Sequence, residues 1–334
     1  MRVQILNTGG TIGMVESPRG LVPGADLAGW LATLMAGTDL EGSVHVAELV
    51  RLIDSSNSVP DDWQAIVDHL RAHRDDADAF VVLHGTDTMA YTTAALAYAL
   101  TGFDRPTVVT GSQLPAAVVG SDAAANVVGA IQAASGGRAD GVSLFFGARL
   151  LAGARSTKVS SWSFAGFASP NVPPLAYVGV PWHWDRAPEI GCGWTAPRPY
   201  RRHDVMIIDM YPGITGARLA AMLDPPPRAI IMRAYGVGDA PSAEPGLVGV
   251  VADMVSGGVP VIVSSQCHQA DVRLGRYETG QALADVGAVG SGDMTLEATY
   301  AKTVFLLSQG LSGADLAAWI GVNIAGELTG SSSQ

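Results

Sequence analysis

Two threonines stand directly behind apolar runs, in settings where a hydroxyl could attack a carbonyl. Thr11, in Thr8-Gly9-Gly10-Thr11-Ile12-Gly13, comes after Val3-Gln4-Ile5-Leu6. Thr86, in His84-Gly85-Thr86-Asp87-Thr88, comes after Phe80-Val81-Val82-Leu83. An alcohol is a weak nucleophile until a neighbouring base takes its proton. Glycines beside it bring backbone N–H groups close to a developing oxyanion. Asp87 adds a carboxylate able to hold a ligand ammonium. Lys158, in Arg155-Ser156-Thr157-Lys158, adds an amine whose pKa would fall if burial placed it near Thr86. Each feature also has a plain structural reading: a glycine turn, a Thr/Asp helix cap and a solvated lysine. The Thr8–Gly13 spacing fits neither GxGxxG nor a Walker loop, which counts against nucleotide binding.

Such groups need a frame. Short, continuously apolar runs read as parallel strands buried on both faces, and ligands of open α/β sheets sit at the carboxyl ends of strands. The pattern predicts strands at Val3–Leu6, Phe80–Leu83, Thr107–Thr110 and Val142–Phe146, with helices over Met89–Thr101 and Ser121–Ala134. Ser121 or Asp122 is the expected N-cap of the second helix. From Pro181 to His203 the periodicity stops while Trp182, Trp184, Trp194 and Tyr200 accumulate. This stretch reads as an inter-domain linker or arm whose aromatics pack on something, such as another subunit. Alternation then resumes. Strands are predicted at Val205–Ile208, Ala229–Met232 and Val259–Val263. Helices are predicted at Ala217–Leu223, Leu247–Ser256, Thr295–Ser308 and Gly313–Val322, the last capped by Ser312, before a frayed tail at Ser331–Gln334. The expected fold class is α/β with two domains. A larger N-terminal domain (1–182) carries a doubly wound, mostly parallel sheet; a linker (183–203) leads to a smaller parallel α/β domain (204–330).

Composition is consistent with that division. With 334 residues, 48% hydrophobic and 15% charged, the chain can build two sizeable cores. A net charge of −11 argues against nucleic acid and anionic membrane surfaces as partners. Cys192 and Cys267 are far apart and form no CxxC pattern, so neither a disulfide framework nor a metal site is expected. The N-terminus runs straight into a strand with no signal-peptide pattern, and no apolar run approaches the ~20 residues of a membrane span. A cytoplasmic location is the expectation.

Taken in order, TGGTIG, HGTDTMAYT, TGSQLP, RSTK, FASPN, YPGI, YGVGDAP and GDMTLEAT resemble the bacterial-type L-asparaginases, in their cytosolic type I branch. The resemblance covers nearly the whole chain. It implies an amidohydrolase with Thr11 as nucleophile and no metal or organic cofactor. Lys158 and Thr86 would relay a proton while Asp87 fixes the substrate α-amino group. Ser55, with Ser56 and Asn57 beside it, would grip the α-carboxylate. Backbone groups at Gly10 and Gly85 would face the oxyanion. A homodimer or homotetramer is also implied, with the active site completed near the dimer interface by the residue at position 239.

Three positions depart from the family pattern. A loop tyrosine is replaced by Leu21, an aspartate by Asn57, and a partner-subunit asparagine by Asp239. Arg233 and Cys267 match residues linked with an effector site in type I enzymes. The plainer reading makes Cys267 a small buried hydrophobe and Arg233 an ion-pair partner. Hydrolysis of L-asparagine is the leading expectation. The alternatives are an amidohydrolase for another amide, with Leu21 marking a reshaped loop, and a weakly active homologue that binds an amino acid.

Overall fold

The computed structural model describes residues 1–18, 20–185, 190–275 and 278–330, leaving aside the side chains of residues 21–23. The predicted tail at Ser331–Gln334 lies outside the described residues. The chain forms two compact units, Met1–Pro188 and Glu189–Gln334.

The first unit is built on a sheet that has eight strands among the described residues. Their order is His183–Trp184, Ala176–Tyr177, Arg149–Ala152, Val142–Phe146, Thr107–Thr110, Ala79–Leu83, Val3–Gly9, Val44–Ile53. The five strands from Val142–Phe146 to Val44–Ile53 are parallel; the other three join antiparallel. Ala79–Leu83 is buried at every position, which is why it reads as an unbroken apolar run. Val3, Ile5, Val81, Leu83, Val108 and Phe145 pack with helices Leu27–Met35 and Ala123–Ser135. The intervening Leu6, Phe80, Val82, Val109 and Leu144 are also buried and turn to the opposite face. There helices Pro60–Ala72 and Met89–Ala99 lie. This is the doubly wound, mostly parallel α/β arrangement expected.

The second unit has a four-stranded parallel sheet among the described residues, ordered Val205–Asp209, Ala229–Ala234, Val261–Ser265, Val289–Gly290. Helix Leu296–Ser308 is buried on nearly all sides, and its Lys302 is fully buried against Glu327 at 2.7 Å. Lys302 also donates to the carbonyls of Ile320 and Val322, so the buried charge is fully engaged.

The aromatic-rich stretch is shared between the units. His183–Trp184 is a strand; Trp182 stacks on Trp184, and both pack on the first core. Trp194 meets Phe305 and Trp319, and Tyr200 is buried against Phe305, within the second unit. No described helix is long and apolar enough to cross a membrane.

Candidate active site

Strand register brings the two threonine segments together. Val3–Asn7 pairs with Ala79–Leu83 in parallel, so Asn7 stands beside Leu83 and both chains leave the sheet at the same level. Thr8 Oγ1 donates to the Leu83 carbonyl at 2.7 Å and fixes that exit. On the other side the register slips after Asn7, and Gly9 pairs with Ile53, the last residue of Val44–Ile53. Three loops therefore start side by side at the carboxyl edge: Gly10–Gly13, Asp54–Ser58 and His84–Thr88.

The loops touch where two glycines permit it. Gly10 has φ of 95°, and a Cβ there would run into the Gly85 backbone. A Cβ on Gly85 would run into the Ser55 hydroxyl. Thr88 Oγ1 donates to the Ser55 carbonyl at 2.7 Å, tying the second and third loops. Thr11 opens the short 3-10 turn Thr11–Gly13, half-buried, one residue beyond the Gly10–Gly85 contact.

The hairpin pairing Thr157–Lys158 with Phe167–Ala168 delivers the amine. Lys158 Nζ lies 2.9 Å from Thr86 Oγ1 and 2.8 Å from Asp87 Oδ1. The Lys158 side chain is 20% exposed and that of Asp87 61%, so the carboxylate faces solvent while the Thr86 hydroxyl is buried. A carboxylate offers about four lone-pair sites. Asp87 can therefore hold Lys158 and a ligand ammonium together.

His84 lies fully buried beneath this site. Its Nδ1 is 2.8 Å from the Gly85 carbonyl, and its Nε2 is 3.0 Å from Thr92 Oγ1. A trans peptide points its C=O and the following N–H in opposite directions. With the Gly85 carbonyl turned towards His84, the Thr86 N–H points away from it. Burial, its largest influence, pushes the imidazole below its usual 6.5. The neutral form thus stabilises the fold above about pH 6.5, and that contribution is lost as pH falls and the unfolded chain takes up the proton first. In urea unfolding across a pH series, His84→Gln should show a shallower loss of stability below pH 6.5 than the wild type; equal slopes would contradict this.

Ser55 is buried, while Ser56 and Asn57 are exposed. Sequence reasoning missed Asp54. Its carboxylate accepts from Ser56 N at 3.2 Å and from Asn57 Nδ2 at 2.8 Å, and hydrogen bonds, first from Ser56, hold it below the usual carboxylate range. This corner thus contains a carboxylate although position 57 is an amide. Leu21 lies opposite Glu16 in the hairpin Met14–Ser17/Gly20–Pro23, directly after the Thr11 turn; its side chain is outside the described part.

The other expected residues belong to the second unit. Arg233 pairs with Asp209 at 2.9 Å, which fits the ion-pair reading. Cys267 is exposed, which corrects the reading of it as a small buried hydrophobe. It follows Gln266, whose amide donates to the carbonyls of Met210, just past one strand, and Arg233, near the end of the next, so Cys267 lies past the end of Val261–Ser265 rather than in the core. Asp239 accepts from Thr279 Oγ1 at 2.5 Å.

Residues 2–189 match the family described as Asparaginase, N-terminal, and residues 204–320 match the Glutaminase/Asparaginase C-terminal domain. The chain belongs to the asparaginase family. It is 38% identical over 340 residues to L-asparaginase 1 of Escherichia coli K12, covering 98% of each chain. The crystal structure of L-asparaginase I from Vibrio cholerae superposes with a TM-score of 0.89 at 38% identity, over 98% of this chain and 99% of that one. A 60 kDa lysophospholipase of Mus musculus is 34% identical over 354 residues, 98% of this chain and 62% of that protein. This family member is an enzyme of the amidohydrolase class.

Proposed function

We propose that this enzyme hydrolyses the side-chain amide of L-asparagine to L-aspartate and ammonia through an ester on Thr11. The observation that carries the reading is the placement of Lys158 Nζ within hydrogen-bond reach of both Thr86 Oγ1 and Asp87 Oδ1. Thr11 Oγ1 attacks the amide carbon, its proton reaches the departing ammonia, and a carboxylic ester remains. A water activated through Thr86 and the Lys158 amine then cleaves that ester, releasing aspartate and restoring Thr11. Backbone N–H groups at Gly10–Thr11 and Gly85–Thr86 receive the oxyanion in each half-reaction. Asp87 holds the substrate ammonium, and Ser55 with Ser56 and Asn57 takes the α-carboxylate. The reaction needs no metal or organic cofactor.

The working unit is proposed to be a homodimer or homotetramer in which Asp239 completes a neighbouring subunit's site. Arg233 and Cys267 are carried as candidate effector contacts. A cytoplasmic location is supported by Cys192 and Cys267, both exposed and free of any disulfide. Ammonia release from purified enzyme given a panel of amides tests the substrate.

Leu21 favours a second reading, in which the substrate is a different amide. Leucine can neither donate nor accept a proton where the family has a phenol. Low wild-type asparaginase activity is expected, with Leu21→Tyr raising kcat/KM for L-asparagine at least tenfold, ~1.4 kcal/mol of transition-state stabilisation. If the wild type already turns over asparagine at about 10 per second or more and Leu21→Tyr changes nothing, the second reading loses its support.

A further inference from the structure

We infer that the segment Gly111–Ala116 is a positioning frame for the catalytic groups, and that Gln113 is the positioning residue for Lys158. The inference rests on the proton-relay role proposed for Lys158.

This one segment reaches the Thr11 turn, the His84–Thr88 loop and the hairpin that carries Lys158. It leaves the strand Thr107–Thr110, whose last residue pairs with Leu83, and the Thr110 carbonyl accepts from His84 N at 2.9 Å. Gly111 abuts the His84 carbonyl so closely that a Cβ would collide with it. Ala116 N donates to the Ile12 carbonyl at 3.1 Å, one residue past Thr11. Gln113 Nε2 donates to the carbonyls of Ser160 at 3.3 Å and Ser163 at 3.1 Å, inside the hairpin that carries Lys158. That hairpin has little burial to hold its tip: Trp162 is 84% exposed and Phe164 46%. The side-chain amide of Gln113 takes the place of a core contact there.

The segment is itself held by a buried carboxylate. Asp122 stands at the N-cap of helix Ala123–Ser135 but does not cap it; Ser121 Oγ accepts from Ala123 N instead. The Asp122 oxygens accept from Gln113 N at 3.0 Å, Leu114 N at 3.2 Å and Asn126 Nδ2 at 3.0 Å. Asn126 also donates to the Gly111 carbonyl at 2.9 Å and accepts from Gly147 N at 3.1 Å. A fully satisfied buried polar network of this kind fixes a single geometry. Displacing a catalytic group by ~1 Å from a distance can cost about a hundredfold in rate.

The test compares wild type, Gln113→Met, Lys158→Met and the double variant, with L-asparagine kinetics and hydrogen exchange measured on each. Methionine keeps the length of glutamine and removes both donors. Gln113→Met should lower kcat by about ten- to a hundredfold with KM changed less than about threefold. Exchange should accelerate within residues 157–168. The double variant should be no slower than Lys158→Met, because the frame acts through that amine. Gln113→Glu, which presents acceptors to the same carbonyls, should repeat the pattern if the methionine variant folds poorly. A kcat within about twofold of wild type, unchanged exchange in the hairpin, or multiplying losses in the double variant would overturn the proposal. If Lys158→Met keeps full activity, the relay reading fails instead, while hydrogen exchange still reports on the frame.

Discussion

Thr11→Ala is expected to abolish turnover, lowering kcat at least about a thousandfold (~4 kcal/mol), while calorimetry should still detect amino-acid binding and the melting temperature should hardly move. The residue is half-buried in a 3-10 turn whose buried member is Ile12, so its truncation should cost little stability. It lies next to the Gly10–Gly85 contact, where the loops from two strand ends meet. Removing a covalent nucleophile eliminates both half-reactions, whereas removing a capping hydroxyl would cost only ~1 kcal/mol of stability and leave the rate intact. Ammonia release by the purified variant decides between them, and a near wild-type rate would exclude Thr11 as the nucleophile.

Lys158→Met should cost about 10²–10⁴-fold in kcat and much less in KM. Its amine lies against Thr86 and Asp87 with only 20% of the side chain exposed. A surface lysine would contribute almost nothing to either constant. Loss of Lys158 also leaves Asp87 without its cationic neighbour, so some effect on substrate-ammonium binding is expected on KM. The split between the two constants separates relay from binding: a kcat drop below about tenfold would leave Lys158 as a charge partner of Asp87 only.

Much of this site was legible because buried parallel strands announce themselves. Phe80-Val81-Val82-Leu83 is apolar at every position because both faces are covered, and the residues after it had to lie at the carboxyl edge. Helix Leu247–Ser256 begins and ends as expected. The strand predicted at Val259–Val263 runs Val261–Ser265, since Pro260 has no N–H to pair. Val44–Ile53 escaped a pattern reading because it is an edge strand with most positions partly or fully exposed. Its end nevertheless places Asp54 and Ser55. Asp54 could be found only with the loop in hand, since its partners Ser56 and Asn57 read as a polar turn. Gln113 bonds residues 47 and 50 positions away, a relation that no local periodicity encodes. Asp122 read as a helix cap, the commonest role for such a residue, whereas tertiary contacts direct its carboxylate to the neighbouring loop.

The central claim is hydrolysis of the L-asparagine side-chain amide, and the most direct measurement is product formation by the purified wild-type protein. L-asparagine, L-glutamine and a set of simple primary amides are supplied in parallel, and ammonia and the corresponding acids are quantified together. The expected result is equal amounts of ammonia and L-aspartate from L-asparagine, with a higher kcat/KM than for any other amide in the set. Turnover confined to another amide, or saturable binding of asparagine with no ammonia released, would contradict it.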